Sequence, residues 1–181
     1  CSTGLSEEQL KKAAEAAGRI AVLRSANMSL GINLMLHRLL KSATEVLANA
    51  GFDVEIVEKH HRLKVDAPSG TALALADVIN EEMDGAYTYV YDRSERREKR
   101  PEKEIGISAV RGGSIVGDHD VIFAGPDEVI TLSHRAYSKG VFGKGALEAA
   151  KFLAGKPAGE YGMNDVIAAA GYHPIVYTGA N

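Results

Sequence analysis

Residues 53–72 read DVEIVEKHHRLKVDAPSGTA and combine three different local patterns. Polar and apolar residues alternate over residues 53–58, which is the pattern of a half-buried β-strand. The basic cluster of residues 60–64 follows this strand, and residues 66–71 have the composition of a turn. A helix is predicted over about residues 72–83. The strand, the turn and the start of the helix therefore meet at a cluster of cationic side chains.

The flanking sequence completes an α+β pattern around this stretch. Strands are predicted at residues 105–110, 120–124 and 129–134, and a helix at residues 143–153. We expect a mixed or antiparallel four-stranded sheet with helices on one face, and an uncovered second face that favours oligomerisation. The charged run at residues 92–104 is predicted to be a solvated, mobile loop.

The first 50 residues predict a different unit. Ser6 and Gln9 have the spacing of a capping box and open a helix that ends at Gly18. Residues 20–23 form a short apolar run typical of a buried strand, and a long helix is predicted over about residues 29–50. A helix followed by a buried strand suits the last unit of a parallel α/β sheet. A short helix is also predicted near the end, at residues 164–170.

Composition excludes several classes of partner. The 181 residues carry a net charge of −3, which gives no general attraction to nucleic acid or to acidic membranes. No apolar run approaches the roughly 18 residues that span a bilayer, and no signal peptide is visible. Cys1 is the single cysteine, so a reducing, cytoplasmic location is expected. The chain has no initiator methionine, and we expect it to begin inside a larger protein.

The basic cluster before the second helix has the features of an anion site. His60, His61, Arg62 and Lys64 fall within five positions, directly before a turn and a helix N-terminus. Free N–H groups and the helix dipole favour anions at such a place. Ser69, Gly70 and Thr71 lie in this turn, where two hydroxyl groups add donors. A small dicarboxylate is the simplest ligand, and a histidine there can supply a proton near neutral pH.

Other interpretations of these residues are weaker. Adjacent residues of a strand point to opposite faces, so His60 and His61 are poorly placed to chelate one metal ion. The charged run mixes acidic with basic residues and lacks interleaved aromatic residues, which disfavours nucleic-acid binding. The His-His pair on its own is also compatible with an ordinary surface or core feature. No G-x-G-x-x-G motif and no P-loop occur, so the residues alone do not indicate a nicotinamide enzyme.

Residues 58–72 closely resemble the E-x-H-H-R-x-K-x-D-A-P-S-G-T-A signature of the dihydrodipicolinate reductase family. Residues 2–4 are similar to the family's G-T-T-G turn, and residues 25–33 to its A-x-N-x-S-x-G-x-N segment. Residues 111–119 and 123–125 resemble its R-G-G-x-I-V-G-x-H and F-A-G blocks. The likeness extends over about residues 1–167 and leaves residues 168–181 outside it.

The resemblance implies a role for individual residues. His60 would be the general acid that protonates the substrate, with Lys64 as its partner. The substrate carboxylates would be held by His61, Ser69, Gly70 and Thr71. The nicotinamide end of the cofactor would be lined by Ser2, Thr3, Ser25, Ala26, Asn27 and Met28. Asn33 and Arg111 would lie behind these groups or on the substrate side. No metal ion is implied.

The resemblance also implies an activity and a domain organisation. The family reduces 4-hydroxy-tetrahydrodipicolinate with NADPH or NADH in lysine (diaminopimelate) biosynthesis and forms a homotetramer. Residues 1–28 would be a remnant of a Rossmann-type dinucleotide-binding domain, residues 29–154 the substrate-binding and oligomerisation domain, and residues 155–181 a C-terminal segment.

The chain departs from the family pattern in two respects. Cys1 stands where the family has glycine, and the glycine-rich nucleotide-binding loop does not occur in these 181 residues. We therefore expect this chain alone to bind cofactor weakly and to turn over slowly. The alternative is a non-catalytic oligomerisation or anion-binding module with the same fold.

Overall fold

The computed structural model describes residues 5–170, and backbone contacts divide them into two compact units. One unit comprises residues 5–33 and 142–170, and the other comprises residues 34–141. The predicted functional segments, residues 1–28, 29–154 and 155–181, are a different division of the chain. They stay a prediction, because backbone contacts do not test which segment binds which ligand.

The helices and strands are as follows. In chain order they are α1 (Glu7–Ala17), β1 (Ala21–Leu23), α2 (Leu30–Leu34), a π-helical segment (Met35–Leu39), α3 (Leu40–Leu47), β2 (Asp53–His60), α4 (Gly70–Glu82), β3 (Thr88–Val90), β4 (Glu104–Arg111), β5 (Gly117–Ala124), β6 (Val129–Ala136), α5 (Gly140–Leu153), β7 (Gly159–Tyr161) and α6 (Met163–Ala169). Each helix and strand predicted from the sequence has a counterpart among them. The two strands that the sequence did not predict, β3 and β7, are three residues long.

The unit that contains both ends of the described chain is built on a short parallel strand pair. β1 pairs in parallel with β7, and α1 packs against both strands. The predicted capping box is confirmed at the start of α1, because Ser6 Oγ accepts from Gln9 N at 3.3 Å and Gln9 Oε1 accepts from Ser6 N at 2.9 Å. Met28, Ala149, Met163 and Val166 form a buried hydrophobic cluster in this unit.

The other unit contains a five-stranded mixed sheet with the order β3-β4-β2-β5-β6. β2 and β4 are parallel, as are β3 and β4, whereas β5 runs antiparallel to both β2 and β6. The α+β class and the mixed sheet are confirmed. The sheet has one strand more than the predicted four, because the short strand β3 adds to the edge of β4.

One face of this sheet forms the core of the unit. Burial alternates strictly along β2, so that Val54, Ile56, Glu58 and His60 all face inward. α4 packs on β2, and α3 packs on α4. The apolar core is therefore a two-layer arrangement of sheet and helices, lined by Val54, Ile56, Leu75, Ile79, Ile105, Ile107, Val121 and Phe123. No described helix combines the length and the apolar composition needed to cross a membrane.

The charged run at residues 92–104 differs from the predicted solvated loop. Arg93 and Arg100 donate to Glu55 Oε1 at 2.8 and 2.9 Å, and Arg96 donates to Glu104 Oε1 at 2.9 Å. Glu104 is 5% exposed. Arg93, Arg96 and Arg100 therefore fold back onto carboxylates of the sheet, where a buried carboxylate requires such partners.

The core predicts a large difference between two leucine-to-alanine substitutions. Leu75→Ala should lower the free energy of unfolding by about 2–5 kcal/mol, because Leu75 is fully buried in α4 and its removal leaves a cavity. Leu147→Ala is the matched control in α5, where Leu147 is 65% exposed. Urea unfolding followed by far-UV circular dichroism measures both, since the chain has no tryptophan. Equal losses in the two variants would contradict this packing.

Candidate active site

The inner face of the sheet carries four polar side chains at one end. Glu58 and His60 both face inward from β2 because they are two residues apart. His119 of β5 lies beside Glu58, and Arg111 of β4 lies beside His60, in the register of the two neighbouring strands. Glu58, His60 and His119 are at most 8% exposed, so the strand alternation brings three titratable groups together in the interior.

Glu58 is fully buried and accepts hydrogen bonds on both carboxylate oxygens. Arg111 binds it with two parallel bonds, from Nη1 to Oε2 and from Nη2 to Oε1, each 2.7 Å long. His60 Nδ1 lies 2.6 Å from Oε2, and the backbone N–H of Ser69 donates to Oε1 at 3.0 Å. Burial by itself would raise the pKa of Glu58, but the hydrogen bonds from Arg111, His60 and Ser69 together lower it. Glu58 is therefore an ionised carboxylate.

The same arginine holds the turn that leads into α4. Arg111 Nη2 also donates to the backbone oxygen of Asp66 at 2.7 Å. Ser69 is the N-cap of α4, and its hydroxyl accepts from Ala72 N at 3.2 Å. Gly70 and Thr71 form the first turn of the helix, at the end where the helix dipole attracts anions. The turn, the helix N-terminus and His60 are thus fixed to one buried ion pair.

His119 is a buried neutral neighbour of His60. The two rings meet edge to face with their centroids 5.1 Å apart, and His119 Nε2 lies 3.1 Å from Ser69 Oγ. Burial, with the positive charge that His60 can carry, lowers the pKa of His119 to about 4. On the other side of His60, a Cβ atom at Gly117 would lie 3.0 Å from His60 Nε2. Glycine at this position gives the Nε2 edge of His60 room.

Two further residues of the basic cluster, Lys64 and His61, lie at the rim. Lys64 Nζ donates to Asp66 Oδ1 at 2.7 Å, and the Lys64 side chain is 21% exposed. This hydrogen bond lowers the pKa of Asp66, with a smaller contribution from the backbone N–H of Gly70. The Asp66 carboxylate therefore lies between an ammonium group and a helix N-terminus. His61 is half-buried and follows His60 after the end of β2.

Four of the residues predicted to line the nicotinamide, residues 25–28, lie in the unit built on β1 and β7. Ser25, Ala26 and Asn27 follow the carboxyl end of β1, where Ser25 Oγ donates to Asn27 O at 2.6 Å. Met28 is 8% exposed and its side chain belongs to the core, so only its backbone can face a ligand. Ser2 and Thr3 lie outside the described residues.

Asn33 holds this loop in place. Its side-chain amide donates to Asn27 O at 2.7 Å and to Ser29 O at 2.8 Å, and Asn33 is 2% exposed. Asn33 and Arg111 were expected behind the site residues or on the substrate side. In the structure Asn33 fixes the backbone of the loop that follows β1, and Arg111 lies in the other unit, where it binds Glu58.

Glu58 and His119 were not predicted as site residues. The alternating pattern of the strand was sufficient to place Glu58 beside His60, because the two residues share the inner face of β2. His119 could not be placed from local sequence, because its position depends on the pairing of β5 with β2. Among residues 5–170, no group of three or more His, Cys, Asp and Glu side chains is arranged to hold a metal ion.

The chain is similar to known proteins over most of its length. Residues 31–167 match the family model described as dihydrodipicolinate reductase, C-terminus. Proteins named 4-hydroxy-tetrahydrodipicolinate reductase from Caldanaerobacter subterraneus subsp. tengcongensis and from Clostridium botulinum are 60% and 54% identical over 166 and 168 residues. These alignments cover 92% of the chain and 65% and 66% of the two relatives. The chain therefore spans less than two thirds of their length.

The chain is also similar to a solved structure, at lower sequence identity. It is described as a dipicolinate-bound dihydrodipicolinate reductase from Paenisporosarcina sp. TG-14, and it is 26% identical with a TM-score of 0.66. The match covers 89% of this chain and 60% of that protein.

The buried histidine predicts how stability depends on pH. The unfolded chain binds a proton at His119 near pH 6.5, but the folded chain does so only near pH 4. Unfolding therefore takes up protons in this window, and stability falls as the pH is lowered through it, by about 3 kcal/mol. Urea unfolding at both ends of the window should show a much smaller loss in His119→Gln. His61→Gln is the control, and an unchanged pH dependence in His119→Gln would contradict the assignment.

Proposed function

This chain belongs to the dihydrodipicolinate reductase family, and on that premise we propose that it forms the substrate-binding part of a 4-hydroxy-tetrahydrodipicolinate reductase. The observation that carries the proposal is the buried Glu58–Arg111 pair, which fixes His60 beside the N-terminus of α4. The Glu58–Arg111 pair thereby holds a proton donor, His60, next to a helix N-terminus that can bind anions. The reaction belongs to lysine (diaminopimelate) biosynthesis, and the cytoplasmic location stays a prediction.

The proposed ligand is a small cyclic dicarboxylate. Lys64, His61 and the first turn of α4 at Gly70 and Thr71 would bind its carboxylates. Ser69 contributes as the N-cap that shapes this turn, since its hydroxyl is already bound to Ala72 N and lies against His119. The similar reductase from Paenisporosarcina is described as dipicolinate-bound, which supports a planar dicarboxylate as the class of ligand.

His60 is the proposed proton donor. Its Nε2 edge lies over the space that glycine leaves at position 117. From there the Nε2 proton would pass to the ring carbon adjacent to the one that is reduced, and His60 would be left neutral. Carboxylate contacts from Lys64 and the helix N-terminus orient the ring for this transfer.

The proposed cofactor is NADPH or NADH, which supplies a hydride when bound. The loop of Ser25, Ala26 and Asn27 follows the carboxyl end of a parallel strand, which is where α/β folds bind nucleotides. This loop fits the nicotinamide end, with Met28 contributing through its backbone. A glycine-rich turn for the pyrophosphate does not occur in the 181 residues. We assign residues 1–28 to cofactor binding and residues 29–154 to substrate binding and oligomerisation, with residues 155–181 as a separate C-terminal segment.

The proposed assembly is a homotetramer that forms through the outer face of the five-stranded sheet. Val110 and Val129 lie on this face and are 45% and 62% exposed. Exposed apolar side chains on a sheet favour association. A non-catalytic oligomerisation or anion-binding module with the same fold is the second candidate function, and turnover in a complete reductase that carries this sequence separates the two.

A calorimetric titration with pyridine-2,6-dicarboxylate tests the anion site. The wild-type chain should bind this planar dicarboxylate, and Lys64→Ala should bind it about ten- to a hundredfold more weakly, the effect of losing a charged hydrogen bond. Lys59→Ala is the matched control, because Lys59 pairs with Asp120 on the opposite face of the sheet. Equal affinities of the Lys64→Ala and wild-type chains would sink the proposed site.

A second titration tests the role of Asp66. The Asp66 carboxylate accepts a hydrogen bond from Lys64 Nζ in the unliganded chain, so a ligand carboxylate has to compete with it for this ammonium group. Asp66→Asn removes the competing charge and should tighten binding of pyridine-2,6-dicarboxylate by about two- to fivefold, in keeping with a partly exposed ion pair. Weaker binding in Asp66→Asn would show that Asp66 supports the site instead of competing with its ligand.

A further inference from the structure

We propose that Glu58 is a positioning residue that holds His60 in the tautomer with hydrogen on Nδ1, so that Nε2 is the nitrogen presented to the substrate. The inference rests on the proposed function of His60 as proton donor. It extends that function by naming the group that decides which ring nitrogen faces the ligand. Three observations on the surroundings of His60 carry it.

The first observation concerns the four contacts of the Glu58 carboxylate, three of which come from groups that can only donate. Oε1 accepts from Arg111 Nη2 and from Ser69 N, and Oε2 accepts from Arg111 Nη1. An ionised carboxylate can only accept, so the fourth contact, His60 Nδ1 at 2.6 Å from Oε2, requires a hydrogen on Nδ1. The tautomer of His60 is therefore fixed by Glu58.

The second observation concerns the opposite side of the ring. A neutral histidine with hydrogen on Nδ1 has its lone pair on Nε2, and a protonated one carries a transferable proton there. His60 Nε2 has no hydrogen-bond partner among residues 5–170. Gly117 lies next to it, and any larger residue would place a Cβ atom 3.0 Å from Nε2. Nε2 is thus the nitrogen left available to a ligand.

The third observation is that Glu58 cannot turn away from His60. Arg111 binds both of its oxygens with parallel bonds, which fixes the plane of the carboxylate as well as its position. Arg111 is itself held by the backbone oxygen of Asp66. The arrangement is the same as that of a carboxylate that orients a catalytic histidine through Nδ1.

A single substitution distinguishes positioning from a purely structural ion pair. In Glu58→Gln the amide group has to place its NH₂ at one of the two former oxygen positions. At the Oε1 position it would face two donors, Ser69 N and Arg111 Nη2, neither of which can become an acceptor. At the Oε2 position it would face only one obligatory donor, Arg111 Nη1, together with His60, which can accept on Nδ1 if its hydrogen moves to Nε2. Glu58→Gln should therefore invert the tautomer of His60.

The test is a long-range ¹H–¹⁵N spectrum of the chain labelled on histidine nitrogens. It is recorded at increasing pH until the ¹⁵N shifts of the ring no longer change, so that the neutral form is observed. His60 is assigned by the signals lost in His60→Gln. We expect hydrogen on Nδ1 in the wild type and on Nε2 in Glu58→Gln. Glu55→Gln is the matched control, because Glu55 lies on the same strand, faces the opposite side and is also paired with arginine. It should leave the tautomer unchanged.

The wild-type spectrum decides the proposal even if Glu58→Gln does not fold. Hydrogen on Nε2 of His60 in the wild type would overturn it, as would a folded Glu58→Gln with an unchanged tautomer. Glu58→Asp keeps the carboxylate and should keep hydrogen on Nδ1.

The kinetic consequence is measured in a complete reductase that carries this sequence. Glu58→Gln should lower kcat by about a hundredfold or more, the usual contribution of a positioned proton donor, with KM within about threefold of the wild type. A loss confined to KM would overturn the positioning role. Failure of the wild-type chain to bind pyridine-2,6-dicarboxylate would reject the proposed function instead. The tautomer measurement needs no ligand, so its result does not depend on that titration.

Discussion

The buried ion pair between Glu58 and Arg111 is the interaction on which the site depends. A carboxylate removed from water is destabilising by several kcal/mol unless charged and hydrogen-bonding partners surround it. Glu58 obtains these partners from three places in the chain, namely the end of β4, the turn before α4 and His60 on its own strand. The need to satisfy one carboxylate therefore fixes the register of β2 against β4 and the position of the α4 N-terminus.

The same constraint separates a fixed interior from an accessible rim in the proposed site. The groups deepest in the site, Glu58, His119 and Ser69, are nearly inaccessible and already hydrogen-bonded to one another or to the backbone. The groups at the rim, His61, Lys64 and Gly70, are the more exposed ones. A ligand would therefore replace hydrogen bonds only at the rim, such as the one that Lys64 now donates to Asp66. The orientation of His60 would stay fixed.

Much of this arrangement was predictable from the sequence, because it follows from local patterns. The alternation of residues 53–58 predicted the strand, and the residues of the turn predicted a helix that starts at about Ala72, two residues after its observed start at Gly70. The β3 and β7 strands were missed because three residues are too few for a periodic pattern, whereas the equally short β1 was predicted from the continuous apolar run of residues 20–23. The position of His119 and the pairing of Arg93 and Arg100 with Glu55 depend on contacts between distant residues, which one sequence does not encode in any local pattern.

We propose that this chain assembles a dicarboxylate site around the Glu58–Arg111 pair, and a crystal structure of the chain with bound pyridine-2,6-dicarboxylate is the decisive experiment. We expect one carboxylate at the N–H groups of Gly70 and Thr71, the other on Lys64 displaced from Asp66, and the ring facing His60 Nε2. A ligand bound elsewhere, with the Glu58–Arg111 pair intact, would show that this pair does not organise a dicarboxylate site.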